Sequence, residues 1–327
     1  MASYTRRVQL TGGSTYIVSL PSKWIRENGL QKGSELTIDE SNSSLVLTYG
    51  GVQKPELVKK LNIEGKVDLE NLMRALTSVY ISDFDTLIIK STQYIDSQFR
   101  ETVKRFSRLV MGVEIFEESS RTIVLQNVLD STSFPLSNAV RRMSLNVETM
   151  ILDVIKGIED SDISLLESVI SRDDDVDRYQ LYIYRAVNRG KTESENSIFF
   201  LIFSRILERI ADHAVNICKI WKNGSEAGDE SRHLIVDFMK KASMLYNEAV
   251  DAFYSRRFEV LNSIISRKPE FKSAKEDILR HQADRNYGYT VSSISEEVLR
   301  IALYATDISE LAMDVIIGDR ADFTISS

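Results

Sequence analysis

Along the first 50 residues, apolar and polar positions alternate and are broken by turn residues. Val8 and Leu10 alternate with polar neighbours, Gly12-Gly13 marks a turn, and Tyr16–Leu20 is a second alternating run. Pro21 suits the first turn of a short helix through Asn28, with Gly29 as its stop. Gly33 breaks the chain before Glu35–Ile38, and Asp39–Ser43 turns it into Leu45–Tyr49. The pattern predicts β-β-α-β-β. From residue 56 to 130 the period changes. Leu69, Leu72, Met73, Leu76 and Val79-Tyr80 have helical spacing, as do Phe99, Val103, Phe106 and Val110. Thr86–Ile89, Val113–Phe116 and Thr122–Val128 read as strands, so this part is expected to lay helices on an antiparallel sheet. Beyond Pro135 the helical period runs almost unbroken. It predicts six helices near 136–158, 162–189, 194–221, 229–256, 258–284 and 289–317, with Gly157, Gly190, Gly224, Gly288 and Gly318 at or near their ends. Long helices joined by short connections pack as antiparallel bundles.

The expected fold class is therefore multi-domain: a small β-rich N-terminal domain over 1–52, an α/β middle domain over 56–132 and an all-α C-terminal domain over 136–320. Composition agrees, since 43% of the 327 residues are apolar and 27% charged, the balance of a globular chain. The longest fully apolar run, Ile198–Phe203, is far short of the ~20 residues of a membrane span, and no secretory pattern opens the chain. The single cysteine, Cys218, excludes an intrachain disulfide framework, and three histidines leave little for a His-built metal site. A metal would have to lean on carboxylates, which suits hard cations or iron better than copper.

Charge adds an asymmetry. Against a net charge of −7, residues 1–32 hold Arg6, Arg7, Lys23, Arg26 and Lys32 with Glu27 as the only acid. A basic start on an acidic body fits a segment that meets a polyanion. A β-rich unit of about 50 residues also buries too little surface to be secure alone. Pairing with a second copy would supply a core and double the basic face for two-fold symmetric DNA. The alternative is a docking or dimerisation module with incidental basic residues.

The sharpest chemical feature is the run Asp173-Asp-Asp-Val-Asp177. Stepping from Leu166 through Ile170, Asp173, Asp177 and Leu181 to Tyr184 keeps to one helical stripe, so Asp173 and Asp177 share it with apolar residues. Carboxylates on a core-facing stripe need cations or a metal. The other reading is that a helix breaks here and the acids charge the N-terminus of the next one. The following helix carries a second pair four apart, Glu208 and Asp212. Two such pairs on neighbouring helices can bring four carboxylates to one point, the way bundles build carboxylate-bridged sites. Alternatively Glu208 pairs with Arg205, His213 lies at a helix edge, and Cys218 is a small buried apolar residue. Nucleotide loops, dinucleotide fingerprints and Ser-His-Asp orders are not found in the sequence.

The stretch ERIADHAVNI (208–217), preceded by DDDVD (173–177), resembles the signature of PhoU-family phosphate-uptake regulators. The opening RRVQLTGGSTYIVSLPSKWIRENGLQKGSELTI (6–38) resembles AbrB/SpoVT swapped-hairpin DNA-binding domains through Leu20-Pro21, Trp24, Gly29 and Gly33. The order of parts is similar to a group of archaeal PhoU-like proteins, and the resemblance covers essentially the whole chain. It implies two three-helix bundles in tandem. It implies iron or zinc held by Asp173, Asp177, Glu208 and Asp212, with Asp174 as substitute if the register shifts by one. It also implies DNA contact by the N-terminal domain, for which the basic residues Arg6, Arg7, Lys23 and Arg26 noted above are the candidates. In the second half Arg300–Ile308 echoes Arg209–Ile217, but Leu299 stands for Glu208 and Leu303 for Asp212, so one metal site at most is expected.

The resulting expectation is a cytoplasmic, non-enzymatic regulator of phosphate uptake and phosphate homeostasis. It would be a homodimer or higher oligomer, would bind DNA, and would report to a phosphate-transporter ATPase or a signalling protein without membrane insertion. Two alternatives stay open: a carboxylate-bridged metalloenzyme, and a metal-free structural adaptor that uses the N-terminal domain only to oligomerise. The Glu-x-x-His pairs of ferritin-like sites are absent from these helices, which weighs against the enzyme.

Overall fold

Helix and strand boundaries follow the changes of period closely in a computed structural model of the chain, which describes residues 4–41, 44–49, 56–129, 134–189, 197–224, 228–281 and 288–318. Positions 42 and 43 of the expected hairpin turn, Pro55, Gly190 and the expected helix start at 194 lie outside the described residues. The chain divides into two compact units, residues 1–56 and 57–327.

In the first unit β1 (Gln9–Thr11) and β2 (Thr15–Ile17) form an antiparallel hairpin with Leu10 opposite Tyr16. Helix α1 (Ser22–Glu27) follows Pro21, whose fixed φ and missing N–H suit a helix entrance. It ends where Gly29 takes a left-handed φ of 64°, which lets Leu30 N–H reach back to Ile25 O at 3.0 Å. Strands β3 (Leu36–Ser41) and β4 (Ser44–Tyr49) form a second, separate antiparallel pair. Among the described side chains of this unit, Leu30 is the only buried apolar one. Val8, Leu10, Tyr16, Ile17, Val18, Ile38 and Leu45 are all exposed, Tyr16 to 72%.

The second unit opens with β5 (Val58–Ile63), α2 (Leu69–Ile81), β6 (Thr86–Ser91), α3 (Ser97–Leu109), β7 (Val113–Glu118) and β8 (Thr122–Asn127). The sheet order is β5-β6-β8-β7. The expected antiparallel sheet is corrected here: β5 runs parallel to β6, and only the other two pairings are antiparallel. Strand β5 escapes the sequence pattern because Lys59 and Lys60 interrupt its apolar positions at a sheet edge, where charge is tolerated. Asp68 and Asp96 cap α2 and α3 by accepting from the N–H of Asn71 and Phe99. Leu72, Leu76, Tyr80, Val103 and Phe106 from the helices close over Leu87, Ile89, Ile123 and Leu125 of the sheet.

The helical part comprises α4 (Leu136–Glu159), α5 (Ile163–Ser171), α6 (Asp173–Asn188), α7 (Ser197–Asn223), α8 (Asp229–Ser255), α9 (Phe258–Ser266), α10 (Lys268–His281) and α11 (Gly288–Gly318). Two of the six expected helices are therefore each interrupted, at Arg172 and at Arg267, both of which keep near-helical backbone angles. Each interruption follows a matching sequence, Ser168-Val-Ile-Ser-Arg172 and Ser263-Ile-Ile-Ser-Arg267. The fold is thus two bundles, α4–α7 and α8–α11, each of three helical lengths. They share one continuous apolar core, in which Tyr246 of the second donates its hydroxyl to Ser144 O of the first.

Helix α6 also ties the bundle to the sheet. Arg185, 4% exposed, donates from Nε to Asp83 Oδ1 at 2.8 Å, from Nη1 to Asn127 Oδ1 at 3.0 Å and from Nη2 to Phe84 O at 3.0 Å. Its guanidinium lies over the rings of Tyr80 and Phe84. Arg189 adds ion pairs to Asp83 and Asp85, both at 3.1 Å. Asp83 sits at a φ of 63°, a left-handed conformation that costs a non-glycine residue about 1 kcal/mol and persists where surroundings fix it.

Candidate functional site

The four carboxylates singled out by spacing lie on two packed helices, Asp173 and Asp177 on the first turns of α6 and Glu208 and Asp212 in the middle of α7. The helix does break at Arg172, and Asp173, Asp174 and Asp175 charge the first turn of α6. Asp173 and Asp177 are nonetheless half-buried on the side toward α7, while Asp174 is exposed and acts on them only through its charge.

Electrostatics show the convergence. Burial, reinforced by Asp212, Asp174 and Glu208, pushes the Asp173 carboxyl up to about 6, with Lys219 opposing. Burial, then Asp173, Glu208, Asp212 and Asp174, pushes Asp177 up to about 7. Glu208 is raised by burial and then by Asp212. In all three groups burial is the main cause and the neighbouring carboxylates add to it. The expected pairing of Glu208 with Arg205 is present as a 3.9 Å ion pair, too long for a hydrogen bond, and with the Gln180 side chain it offsets part of the rise at Glu208. Asp173 Oδ1 and Glu208 Oε2 are buried and have no hydrogen-bond partner among the described residues. Buried carboxylate oxygens left in that state are costly, and such an exception in a folded chain calls for a cation or a proton.

The donor set therefore suits a hard or borderline cation in chemistry. As the side chains stand, no group of three or more His, Cys, Asp or Glu among the described residues is closed around one point in a way that would hold an ion. Unscreened carboxylates splay apart, so closure on an ion would need a change of rotamers along the packed faces of α6 and α7. Two other candidates fall outside it. His213 places Nδ1 2.6 Å from Glu297 Oε2 and stacks on Tyr304, which engages it with α11. Cys218 is buried and its thiol is pushed up to about 12 by burial, as an apolar filler would be.

The second bundle shows what replaces such a cluster. Counting from the matched interruptions, Lys268 stands where Asp173 stands and Lys272 where Asp177 stands. Lys268 pairs with Glu310 at 2.6 Å, and Lys275 pairs with Glu296. The repeat around Arg172 and Arg267 is present in the sequence, but its alignment is obvious only once both helices are seen to break at the same point.

At the other end of the chain, Arg6, Arg7, Lys23 and Arg26 are all exposed. Arg6 lies over the ring of Tyr4, and Arg26 holds Ser22 O at 3.4 Å. Lys23 is 3.8 Å from Glu27 across one helical turn, a surface pair of little strength. All four charges are thus available to a polyanion.

Comparison with known proteins agrees with this division. Residues 140–221 match the PhoU domain, and residues 9–50 match the family described as "Antidote-toxin recognition MazE, bacterial antitoxin". The first match contains all four carboxylates and the second contains Lys23 and Arg26. A phosphate-specific transport system accessory protein PhoU homolog of Clostridium acetobutylicum is 26% identical over 158 residues, 45% of this chain and 72% of that protein. A protein of the same description from Caulobacter vibrioides is 34% identical over 120 residues, 35% of this chain and 52% of that protein. The phosphate transport system regulatory protein PhoU from Streptococcus pneumoniae superposes with a TM-score of 0.50 at 16% identity, over 57% of this chain and 96% of its own, a likeness of fold.

Proposed function

From the premise of a PhoU domain joined to a MazE/AbrB-type N-terminal module, we propose that the protein is a regulator of phosphate uptake that binds DNA as a dimer. The relatives are named as accessory and regulatory proteins of phosphate transport, which supports regulation in preference to catalysis. The observation that carries the reading is the union, in one chain, of a PhoU-matched carboxylate cluster with an exposed basic, coreless N-terminal unit. The apolar side chains of β1, β2 and β3 would find their core in a second copy, and dimerisation would double the basic face. The bundle surface would meet a transporter ATPase or a signalling protein in the cytoplasm.

In the first bundle Asp173, Asp177, Glu208 and Asp212 would hold iron or zinc. Such an ion would supply the positive charge that four converging carboxylates lack. Its structural effect would be to clamp the start of α6 against α7, with binding coupled to loss of the protons held on Asp173 and Asp177.

Fluorescence anisotropy on duplex DNA tests the DNA arm. Binding should weaken steeply with added salt, because neutralised phosphates release counterions. An Arg6→Ala/Arg7→Ala variant should show a smaller salt slope, and salt-independent association would overturn the reading. Metal analysis of untagged protein beside Asp177→Asn/Asp212→Asn tests the cluster. The second reading, a metal-free adaptor, is favoured by the ion-paired second bundle and expects the same metal content in both proteins.

A further inference from the structure

Helix α6 shows two chemically opposite stripes. Asp173 and Asp177 face α7, whereas Arg178 and Arg185, seven residues and two turns apart, face the sheet part of the same unit. Arg185 is fully used there. Arg178 is not: its Nε is enclosed and has no hydrogen-bond partner, and its Nη1 is 3.6 Å from Asp175 Oδ1. The Arg178 side chain is otherwise 40% exposed, so its terminal nitrogens stay open to an acceptor.

Arg178 borders a cleft of roughly 480 Å³ whose other walls come from α3 and β7. Lys104 and Arg108 stand one helical turn apart on α3 and line it, with Ser107 between them. Arg108 has only a 3.9 Å contact with Glu101 at the surface, and for Lys104 no ion pair is found among the described residues. Glu114 is the one acidic lining residue, so the lining carries an excess of two positive charges. The floor rests on Gly112, at a φ of 74°, where a Cβ would come within 2.3 Å of Leu129 Cβ.

We propose that this cleft binds a small polyanion bearing several phosphoryl groups, held by Lys104, Arg108 and Arg178. Arginine matches phosphoryl oxygens through its planar fork, and lysine adds a point charge that adapts to their position. The volume lies in the range of small-molecule sites and exceeds what one orthophosphate would fill. The ligand would touch α3 and β7 on one side and α6 on the other, one residue from Asp177. It would be read by the sheet part and the bundle together. The inference does not depend on DNA binding or on metal.

Isothermal titration of the full chain in EDTA, with tripolyphosphate, ATP and orthophosphate as probes, tests it. Saturable binding of one tripolyphosphate or ATP per chain is expected, at least tenfold tighter than orthophosphate. Arg178→Ala and Lys104→Ala/Arg108→Ala should each weaken it at least tenfold, while Arg6→Ala/Arg7→Ala and Asp177→Asn/Asp212→Asn leave it unchanged. Lys104 and Arg108 are surface residues, so that double variant keeps the wild-type melting temperature. ATP binding more tightly than tripolyphosphate would identify a nucleotide, and the reverse a bare polyphosphate. Absence of saturable binding, or a loss confined to the Arg6/Arg7 variant, would overturn the proposal.

Discussion

Arg185 is the residue on which the joint between sheet and bundle turns. Its three hydrogen bonds and two aromatic faces satisfy a buried charge that would otherwise be prohibitive. Arg185→Ala would leave Asp83 buried in a strained backbone conformation with only Arg189 against it. A loss of about 3–5 kcal/mol in urea denaturation is expected, and Arg185→Lys should not restore it, because lysine lacks the fork. Asp177 behaves in the opposite sense. Its folded pKa is raised to about 7, so its stabilising form is the protonated one. That contribution is complete below about pH 4 and lost as pH rises through 7. In EDTA at pH 8, Asp177→Asn should therefore be more stable than wild type, by about 1 kcal/mol after allowing for solvent screening. The difference should vanish near pH 4, and thermal melts across that range check it.

At the scale of elements, the interruptions at Arg172 and Arg267 let each bundle present the start of a helix beside a neighbouring one. In the first bundle that start is acidic and in the second Lys268 and Lys272 flank Glu270, so one backbone plan serves a run of carboxylates and a set of ion pairs. Helix α5 is held against α4 by close approach at Gly157, where a Cβ would meet Leu166 Cδ2 at 2.5 Å. Leu166 is itself fully buried. Gly157→Ala should consequently destabilise the chain by about 1–3 kcal/mol despite alanine's better helix propensity, as calorimetry would show. An unchanged or raised melting temperature would mean that α5 shifts without cost. The expected long helix over 162–189 was not found as one piece for a simple reason. The break at Arg172 keeps near-helical angles and has no glycine or proline beside it in the sequence, whereas Pro269 stands two residues after the break at Arg267.

At the scale of the whole molecule, the two units differ in how far they satisfy their own apolar surface. The unit of residues 57–327 has two well-filled cores, one under the sheet and one through both bundles. The unit of residues 1–56 leaves Leu10, Tyr16 and their neighbours to solvent. Light scattering should give twice the chain mass for the wild type, and Leu10→Ser/Tyr16→Ser should shift it toward the monomer. A monomeric wild type would remove the dimer from the proposed function. Among the described residues no helix is long and apolar enough to cross a membrane.

Periodicity alone determined most elements, because burial of one face imposes its repeat on the residues that form it. It located α2, α3, β6, β7 and β8, the β-β-α-β-β order of the N-terminal unit, and the helical remainder. The spacing of Asp173, Asp177, Glu208 and Asp212 also predicted their pairing by helix, since residues four apart share a face. Only the tertiary structure decided which of those faces meet, how deeply each carboxylate is buried, and that two of their oxygens go without partners. It alone brought Arg185 to Asp83, and Arg178 to Lys104 and Arg108, across 74 and 70 residues of chain. Contacts of that range leave no periodic trace, because each partner obeys the repeat of its own element and the geometry joining them arises only when the cores close.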